Sequence, residues 1–288
     1  METTSKLPTQ TAEESRRTFA EPMTSLQRAY FEKGWTCLPG FLEHSAVDAI
    51  ATDVAWLVET QMAYVGMKVE HPHDPVIANL GHNLGRLESA HPGIQACIYD
   101  EVNRLPSMHA LAASAPLLSV AKEILGERVG VHPRLNMIMA LPEDEWHLGT
   151  WHQDGFYGPS NHLVSYIPLQ RTDASNGGLV VATGMHARGL LPHAVREEWG
   201  IDTKFYTLEP DEVASFPERR QLELEAGDLL LFDRYMPHTA NINRSSFARF
   251  AITIRYVDLS DPFFASRRWK WQDLAEAGLT ALAHQKES

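Results

Sequence analysis

Two kinds of hydrophobic pattern divide the chain. In the first part, apolar residues recur at the three-to-four-residue spacing of amphipathic helices. This spacing predicts helices over residues 23–33, 45–62 and 108–125. The segment 64–93 has several prolines and glycines and no clear period, which predicts a long ordered loop, a lid or a pocket wall.

Short β-type runs separated by turn signals follow from about residue 129. Turn signals such as Asn176-Gly177-Gly178 separate them. Short strands with turns between them favour an antiparallel sandwich or barrel, and the preceding helices make the predicted class α+β. The predicted strands cover 35–38, 134–141, 163–169, 179–182, 221–225, 229–232 and 247–257.

The domain organisation expected from these patterns is simple. Residues 1–22 are polar and predict a flexible tail, and 23–288 predict one domain with a C-terminal extension from about residue 261. The 288 residues, 44% of them hydrophobic, are enough for one large core.

Composition narrows the classes of partner. The formal net charge of −12 repels phosphate backbones and anionic membranes, so nucleic acid and membrane surfaces are not expected partners. Cys37 and Cys97 stand apart, which argues against a zinc-thiolate site and a disulfide scaffold. No apolar run reaches about 18 residues and the first 20 residues lack an apolar signal core, so a cytoplasmic protein is expected.

Candidate chemistry begins at Trp151-His152-Gln153-Asp154. If this segment is a strand, His152 and Asp154 point to the same face and can converge on one metal ion. His238, 86 residues after His152, follows the predicted strand 229–232 and offers a third ligand. Two histidines and one carboxylate form the facial triad of non-haem iron oxygenases, which leaves the opposite face of the metal open.

Each part of this pattern is weak alone. His-x-Asp often occurs by chance, and a histidine after Met-Pro is ordinarily a loop residue. The joint pattern gains weight from Arg249, eleven residues after His238, whose guanidinium could pair with a carboxylate. The segment 240–246 predicts a polar turn that returns the chain beside the preceding strand, with Arg244 solvated in it. Arg255 shares the strand parity of Arg249, and an ion pair is favoured over a substrate contact.

A family resemblance rests on three stretches. These are WHQDG, NGGLVVATGMHARG and AGDLLLFDRYMPHTANINRSSFARFAITIRY. Together they resemble the phytanoyl-CoA dioxygenase family, which includes ectoine hydroxylase, and the resemblance covers about residues 24–260. It implies a double-stranded β-helix (jelly-roll) core with helices packed on one sheet, and 2-oxoglutarate as co-substrate.

The resemblance also implies roles for single residues. His152, Asp154 and His238 match the metal positions, and Arg249 matches the arginine that binds 2-oxoglutarate. Asn136 resembles a strand residue that touches the same molecule.

One departure concerns the neighbourhood of that arginine. Ala240 stands where the family often has a serine two residues after the distal histidine. Thr239 or Thr253 could take over its contact with the arginine.

The expected activity is hydroxylation of an unactivated C–H bond of a small metabolite with Fe(II), 2-oxoglutarate and O2, releasing succinate and CO2. Related halogenases have a small residue in the carboxylate position, so Asp154 argues for oxygen insertion, while desaturation, epoxidation and ring formation stay open. Candidate substrate contacts are Phe156, Tyr157, Tyr235 and Arg255.

Two alternatives belong to other classes. One is a cupin-like isomerase or hydrolase that uses a divalent metal, and the other is a small-molecule binding protein without activity. The substrate and the oligomeric state, including a homodimer, stay open.

Overall fold

The structure is a computed structural model that describes residues 22–71, 76–144, 150–157, 160–196 and 205–262. The predicted tail up to residue 21 and the predicted extension from residue 263 lie outside these ranges. Within them, helices come first: α1 Ser25–Lys33, α2 His44–Tyr64, α3 Val76–Ala90, α4 Ile94–Val102, α5 Pro106–Ala112 and α6 Ala115–Leu125, with α7 Pro210–Ala214 later. No described helix is both long enough and apolar enough to cross a bilayer.

Local signals at both ends fix α1. Thr24 and Gln27 form a capping box, in which each side chain bonds the backbone N–H of the other residue. The helix ends at Gly34, whose φ of 80° suits glycine. A side chain there would also collide with Met236 and His186. The predicted helix 23–33 is therefore confirmed, as is 45–62, which corresponds to α2.

The loop predicted over 64–93 is wrong for half of its length, because α3 occupies it. Leu80, Leu84 and Leu87 follow helical spacing and are buried in the main core. Gly81 and Gly85, poor helix formers, hide this period in the sequence. Packing of the leucine face stabilises the helix in spite of them.

Two further helix predictions need correction. The single helix predicted over 108–125 is two helices, α5 and α6, interrupted at Ala113 and Ser114. Pro116 in the first turn of α6 makes this a second helix start, because proline is tolerated there and disruptive in a helix interior. The helix α4 was not predicted.

The strands form two antiparallel sheets and a separate pair. Their bounds are β1 Trp35–Leu38, β2 Val129–Val131, β3 Asn136–Ala140, β4 His162–Pro168, β5 Leu179–Val181, β6 His193–Arg196, β7 Phe205–Leu208, β8 Arg220–Gln221, β9 Leu229–Asp233, β10 His238–Ala240 and β11 Arg249–Asp258. The larger sheet has the order β1-β9-β4-β11-β2, with β3 also paired to β11. The smaller sheet has the order β10-β5-β8, and β6 pairs with β7.

Alternation along β11 separates the two faces of the larger sheet. Phe250, Ile252 and Ile254 face the helices and join their core. Ala251 belongs instead to a second cluster with residues of both sheets, so Arg249 and Thr253, which share its parity, also face the interior between the sheets. The helices thus pack on one face of the larger sheet, and the other face is free to build a site.

The connection after His238 differs from the prediction. The chain does not return beside the strand before it, because β11 pairs with β2, β3 and β4, and β4 lies between β9 and β11. The segment between β10 and β11 therefore crosses from the smaller sheet to the larger one. Arg244 in this segment is exposed as predicted and pairs with Glu143 at 3.1 Å. The strand predicted over 221–225 is reduced to β8 and an isolated bridge at Leu224.

Candidate metal centre

The His-x-Asp segment is not a regular strand. His152 forms an isolated antiparallel bridge with His238, and the two residues exchange backbone hydrogen bonds of 3.0 Å. Asp154 begins a short 3-10 turn, Asp154–Tyr157. The bridge itself brings the first histidine beside the third ligand, so convergence arises without the strand alternation that the sequence predicted.

The residue between the two ligands anchors this segment. The Gln153 side chain is fully buried and donates to the backbone carbonyls of Gly189, at 2.9 Å, and Tyr235, at 2.6 Å. It also accepts from the backbone N–H of Leu191 at 2.8 Å. These bonds fix the backbone from which His152 and Asp154 project.

Gly155 brings the turn against the loop after β9. Its N–H donates to the Arg234 carbonyl at 2.7 Å, and an added Cβ would lie 2.7 Å from the Tyr235 ring. Only a residue without a side chain fits this approach. Tyr235, a predicted substrate contact, is half-buried next to the ligand segment, with the Arg234 guanidinium 4.5 Å from its ring centroid.

Three side chains converge here. One ligand atom each from His152, Asp154 and His238 lies within 4.8 Å of the other two. The Nδ1 atoms of the histidines face backbone carbonyls, that of Thr150 at 2.8 Å and that of Met236 at 3.0 Å. Since a carbonyl only accepts, each Nδ1 must carry the proton, which leaves both Nε2 lone pairs for a metal.

Asp154 is held by Arg255. The Nε and Nη2 atoms of Arg255 donate to the same carboxylate oxygen, Oδ2, at 3.1 and 3.0 Å. The other oxygen, Oδ1, lies 3.9 Å from the Nε2 atom of His152. The sequence favoured an ion pair for Arg255, and the structure has one, with a candidate metal ligand as its partner.

The electrostatics keep all three groups in their metal-binding forms. Burial lowers the pKa of His152 to about 4, and the nearby His238 adds to this effect. Burial likewise lowers the pKa of His238. Burial alone would raise the pKa of Asp154, but Arg255 and the two histidines outweigh it and hold the pKa well below its usual range. Neutral imidazoles and an ionised carboxylate are the forms that bind metal.

A buried arginine lies on the same interior face of β11. Arg249 is 1% exposed, and it donates from Nη1 to the Tyr166 hydroxyl at 2.9 Å and from Nη2 to the Gly177 carbonyl at 2.7 Å. Its Nε has no partner, and among the described residues no carboxylate lies within 4.0 Å of it. A buried cation without a counter-charge is costly, so the arrangement fits an anion supplied from outside the chain.

A row of polar side chains crosses the larger sheet beside this arginine. Asn136, Thr253 and Tyr166 stand opposite one another on β3, β11 and β4, so they share the interior face. Asn136 Oδ1 and Thr253 Oγ1 are buried and lack hydrogen-bond partners among the described residues. Buried polar atoms are rarely left unsatisfied, so this row also fits a polar ligand.

His162 adds an imidazole on the interior face of β4. It is 4% exposed, and its Nδ1 donates to the Ser160 carbonyl at 3.0 Å, while its Nε2 has no partner within the described part of the chain. Burial lowers the pKa of His162 to about 4, so this imidazole is neutral. It was not predicted as part of the site.

Apart from Tyr235, described above, the predicted site residues divide into three groups. His152, Asp154, His238, Arg249, Asn136, Thr253 and Arg255 lie on or beside the interior face. Thr239 alternates with His238 and Ala240, so its side chain leaves the opposite face of β10. The side chains of Phe156 and Tyr157 lie outside the described part of the structure.

Besides His162, two further contributors to the site were not predicted from the sequence. Tyr166 is embedded in the apolar run LVSYIP and resembles a core residue, although its strand parity with Val164 pointed inwards. Gln153 gave no signal, because its partners come from loops 36 and 82 residues away.

Comparison with known proteins places this geometry in context. A curated relative, the 1-deoxypentalenic acid 11-beta-hydroxylase of Streptomyces exfoliatus, is 32% identical over 136 residues, which are 45% of this chain and 48% of that protein. The chain spans about half the length of the curated relatives that it matches. The relatives are named dioxygenases and hydroxylases.

Solved structures share the fold. EctD from S. alaskensis with bound Fe superposes with a TM-score of 0.56 at 19% identity, over 86% of this chain and 81% of that one. The epimerase SnoN, solved with Fe3+, alpha ketoglutarate and nogalamycin RO, gives a TM-score of 0.52 at 18% identity, over 82% and 83% of the two chains.

The family assignment rests on the longest match. The model of the family described as Phytanoyl-CoA dioxygenase (PhyH) matches residues 30–251, which include all three candidate ligands and Arg249. Members of this family are Fe(II)- and 2-oxoglutarate-dependent oxygenases. The chain belongs to the phytanoyl-CoA dioxygenase family.

Proposed function

We propose that this protein is an Fe(II)- and 2-oxoglutarate-dependent oxygenase that hydroxylates a C–H bond of a small organic metabolite. One observation carries the proposal: the interior that holds the His152, Asp154 and His238 cluster also holds Arg249, a buried guanidinium without a carboxylate partner among the described residues. The membership of the chain in an oxygenase family supports the same function.

The ligand set fits ferrous iron. Two imidazole nitrogens and one carboxylate oxygen are the donors of the facial triad, and the fixed Nδ1 protons direct both Nε2 atoms towards the metal position. A structural zinc site would need a fourth protein ligand. The cluster in the described residues offers three, which leaves positions for co-substrate and O2.

The second part of the site fits 2-oxoglutarate. Its distal carboxylate would pair with Arg249, in contact with the guanidinium Nε that is now without a partner. Asn136 Oδ1 and Thr253 Oγ1 line the same interior face and offer further polar contacts. The hydroxyl of Tyr166 and the carbonyl of Gly177 hold the guanidinium plane ready for the pairing.

The chain itself performs positioning and exclusion of water. When bound, Fe(II) with 2-oxoglutarate supplies the oxidation by O2 that inserts one oxygen atom into a substrate C–H bond, while 2-oxoglutarate leaves as succinate and CO2. His152, Asp154 and His238 hold the metal, and Arg249 sets the direction of the co-substrate. The apolar side chains between the sheets, such as Phe232 and Val164, keep bulk water from the reacting centre.

The proposed architecture is a double-stranded β-helix (jelly-roll) within a single catalytic domain that begins near residue 23. Two facing antiparallel sheets with a shared apolar interior and helices on the outer face of one sheet support this. The similarity to EctD is at the level of the fold and supports the same arrangement.

A metal-dependent isomerase or hydrolase could use the same three ligands, but it would not need the buried guanidinium of Arg249.

The names of the relatives indicate a broad class of substrate. Their names point to small organic molecules, such as 1-deoxypentalenic acid for the hydroxylase of Streptomyces exfoliatus. For this chain we propose a substrate of the same class, a small organic molecule.

The test is succinate release. Protein reconstituted with Fe(II) and 2-oxoglutarate in air is expected to produce succinate, at a rate that rises when a panel of small metabolites includes a substrate. Asp154→Ala should abolish the release because the metal loses its carboxylate ligand. Asp211→Ala, on an exposed position of α7, should leave it unchanged. Undiminished succinate release by Asp154→Ala would contradict the proposal.

A further inference from the structure

We propose that Arg255 is a positioning residue that holds Oδ2 of Asp154 away from the metal and thereby directs Oδ1 towards it. The inference rests on the proposed function, since it assigns a task at the same metal centre. Its basis is the asymmetric way in which one side chain holds the other.

Arg255 donates two hydrogen bonds to Asp154, and both end on the same oxygen. Nε and Nη2 lie 3.1 and 3.0 Å from Oδ2 of Asp154, whereas Oδ1 faces the His152 imidazole. If the guanidinium donated one hydrogen bond to each carboxylate oxygen, both oxygens of Asp154 would be engaged. Here one oxygen is engaged and the other points into the cluster.

This asymmetry matters for the metal. A carboxylate can bind a metal through one oxygen or through both. Binding through both would use a fourth position of a six-coordinate ion. The proposed reaction needs three positions, two for 2-oxoglutarate and one for O2. Keeping Oδ2 on the arginine keeps the third position open.

The two residues also lie on different elements. Arg255 lies inside β11, opposite Val164 of β4, and its carbonyl accepts from the N–H of His132 at 2.9 Å. Asp154 begins a short 3-10 turn outside the two sheets. The arginine therefore connects the turn that carries Asp154 to the larger sheet. Both side chains are shielded, at 16% and 5% exposure, so water competes little for the bonds.

A second effect opposes this one. A cation next to the ligand carboxylate weakens the attraction of that carboxylate for a divalent metal. Removing Arg255 would also free Oδ2 to bind the metal. If repulsion or binding through both oxygens dominated, removing Arg255 would tighten metal binding. If positioning dominates, as we propose, removing it loosens metal binding by about 10- to 100-fold, the usual range for groups that orient a ligand.

Cobalt(II), added alone under nitrogen, is a suitable probe, because calorimetry reports its affinity and its visible spectrum reports its coordination number. We expect Arg255→Met to lose about 10- to 100-fold in Co(II) affinity and to change the spectrum. Arg255→Lys keeps the charge and can donate to Oδ2, so it should recover part of the affinity. Arg244→Met breaks an exposed ion pair with Glu143, outside the ligand cluster, and should behave like the wild type.

The outcomes separate the two claims. Failure of the wild type to bind one Co(II) per chain would contradict the proposed function itself. A wild type that binds, with Arg255→Met binding equally well or more tightly, would overturn the role of Arg255 alone. If Arg255→Met does not fold, Arg255→Lys decides, because wild-type affinity and spectrum in that variant would overturn the two-bond restraint, and a reduced affinity would support it.

Discussion

Two arginines on the same face of β11 have opposite surroundings. Arg255 is paired with a carboxylate of the chain, Asp154, whereas Arg249 is more deeply buried and has only neutral partners among the described residues. Burying an unpaired charge destabilises the folded protein. We interpret Arg249 as a group whose counter-charge arrives with the co-substrate.

Removing the Tyr166 hydroxyl tests this interpretation. Its oxygen accepts from Arg249 and so orients the guanidinium. Tyr166→Phe removes one hydrogen bond to a charged group, worth about 1.5–3 kcal/mol, so we expect the affinity for 2-oxoglutarate at saturating Fe(II) to fall by about tenfold or more. Anaerobic titration of the visible absorption of the Fe(II) and 2-oxoglutarate complex measures this affinity.

Tyr256→Phe is the matched control. Tyr256 is as buried as Tyr166, but its hydroxyl donates to the Ala112 carbonyl on the helix side of the larger sheet, at 2.9 Å. This variant should lose about 1 kcal/mol of stability and keep wild-type affinity for 2-oxoglutarate. Equal affinities in both variants would show that Tyr166 does not orient the guanidinium.

Single residues were predictable where chemistry leaves a spacing in the sequence. His152, Asp154, His238 and Arg249 were found in this way, because imidazole, carboxylate and guanidinium groups at these intervals jointly indicate a metal and an anion. Tyr166 was missed, because an aromatic residue in an apolar strand is typical of a core and its partner lies 83 residues away.

At the scale of elements, α3 shows how packing overrides local preference. The helix forms although it contains two glycines, because Leu80, Leu84 and Leu87 are buried in the main core. The glycines differ in their surroundings. A Cβ on Gly81 would lie 3.2 Å from the backbone nitrogen of Ala248, whereas a Cβ on Gly85 would meet nothing within 4 Å.

This difference gives a matched pair of variants. Gly85→Ala should stabilise the protein by about 0.5–1 kcal/mol, because alanine loses less backbone entropy on forming a helix. Gly81→Ala should be less stable than Gly85→Ala by about 1 kcal/mol or more, since the segment that leads into β11 must shift to make room. Urea unfolding measures both free energies. Equal stabilisation by the two substitutions would mean that α3 does not approach Ala248 closely.

Helices and strands were predictable where their sequence pattern was continuous. The pairing between strands was not predictable. Helices α1 and α2 and the strand β1 were found with nearly correct ends. Gly34 marks the end of α1, an apolar period marks α2, and Pro39-Gly40 marks the end of β1. The pairing of β11 with β4 was missed, because sequence proximity favoured its predecessor. Sheet order depends on burial between distant segments, which a local pattern does not contain.

At the scale of the whole molecule, the site exists only when both sheets meet. His238 comes from the smaller sheet, Arg249 and Arg255 come from the larger one, and Asp154 comes from a turn that the bridge between His152 and His238 holds in place. The metal centre and the polar surroundings of Arg249 should therefore be lost together on unfolding. A substitution in one of these two parts can leave the other intact.

The most direct measurement is the visible spectrum of the protein with Fe(II) and 2-oxoglutarate under nitrogen. The wild type should develop a weak charge-transfer band that saturates at one equivalent of each. Asp154→Ala should lose the band, because the iron loses its carboxylate ligand. Arg249→Met should need far more 2-oxoglutarate to reach it, since a buried charge pair is worth about 2–5 kcal/mol. A wild-type protein that binds Fe(II) but shows no band at any 2-oxoglutarate concentration would contradict the account.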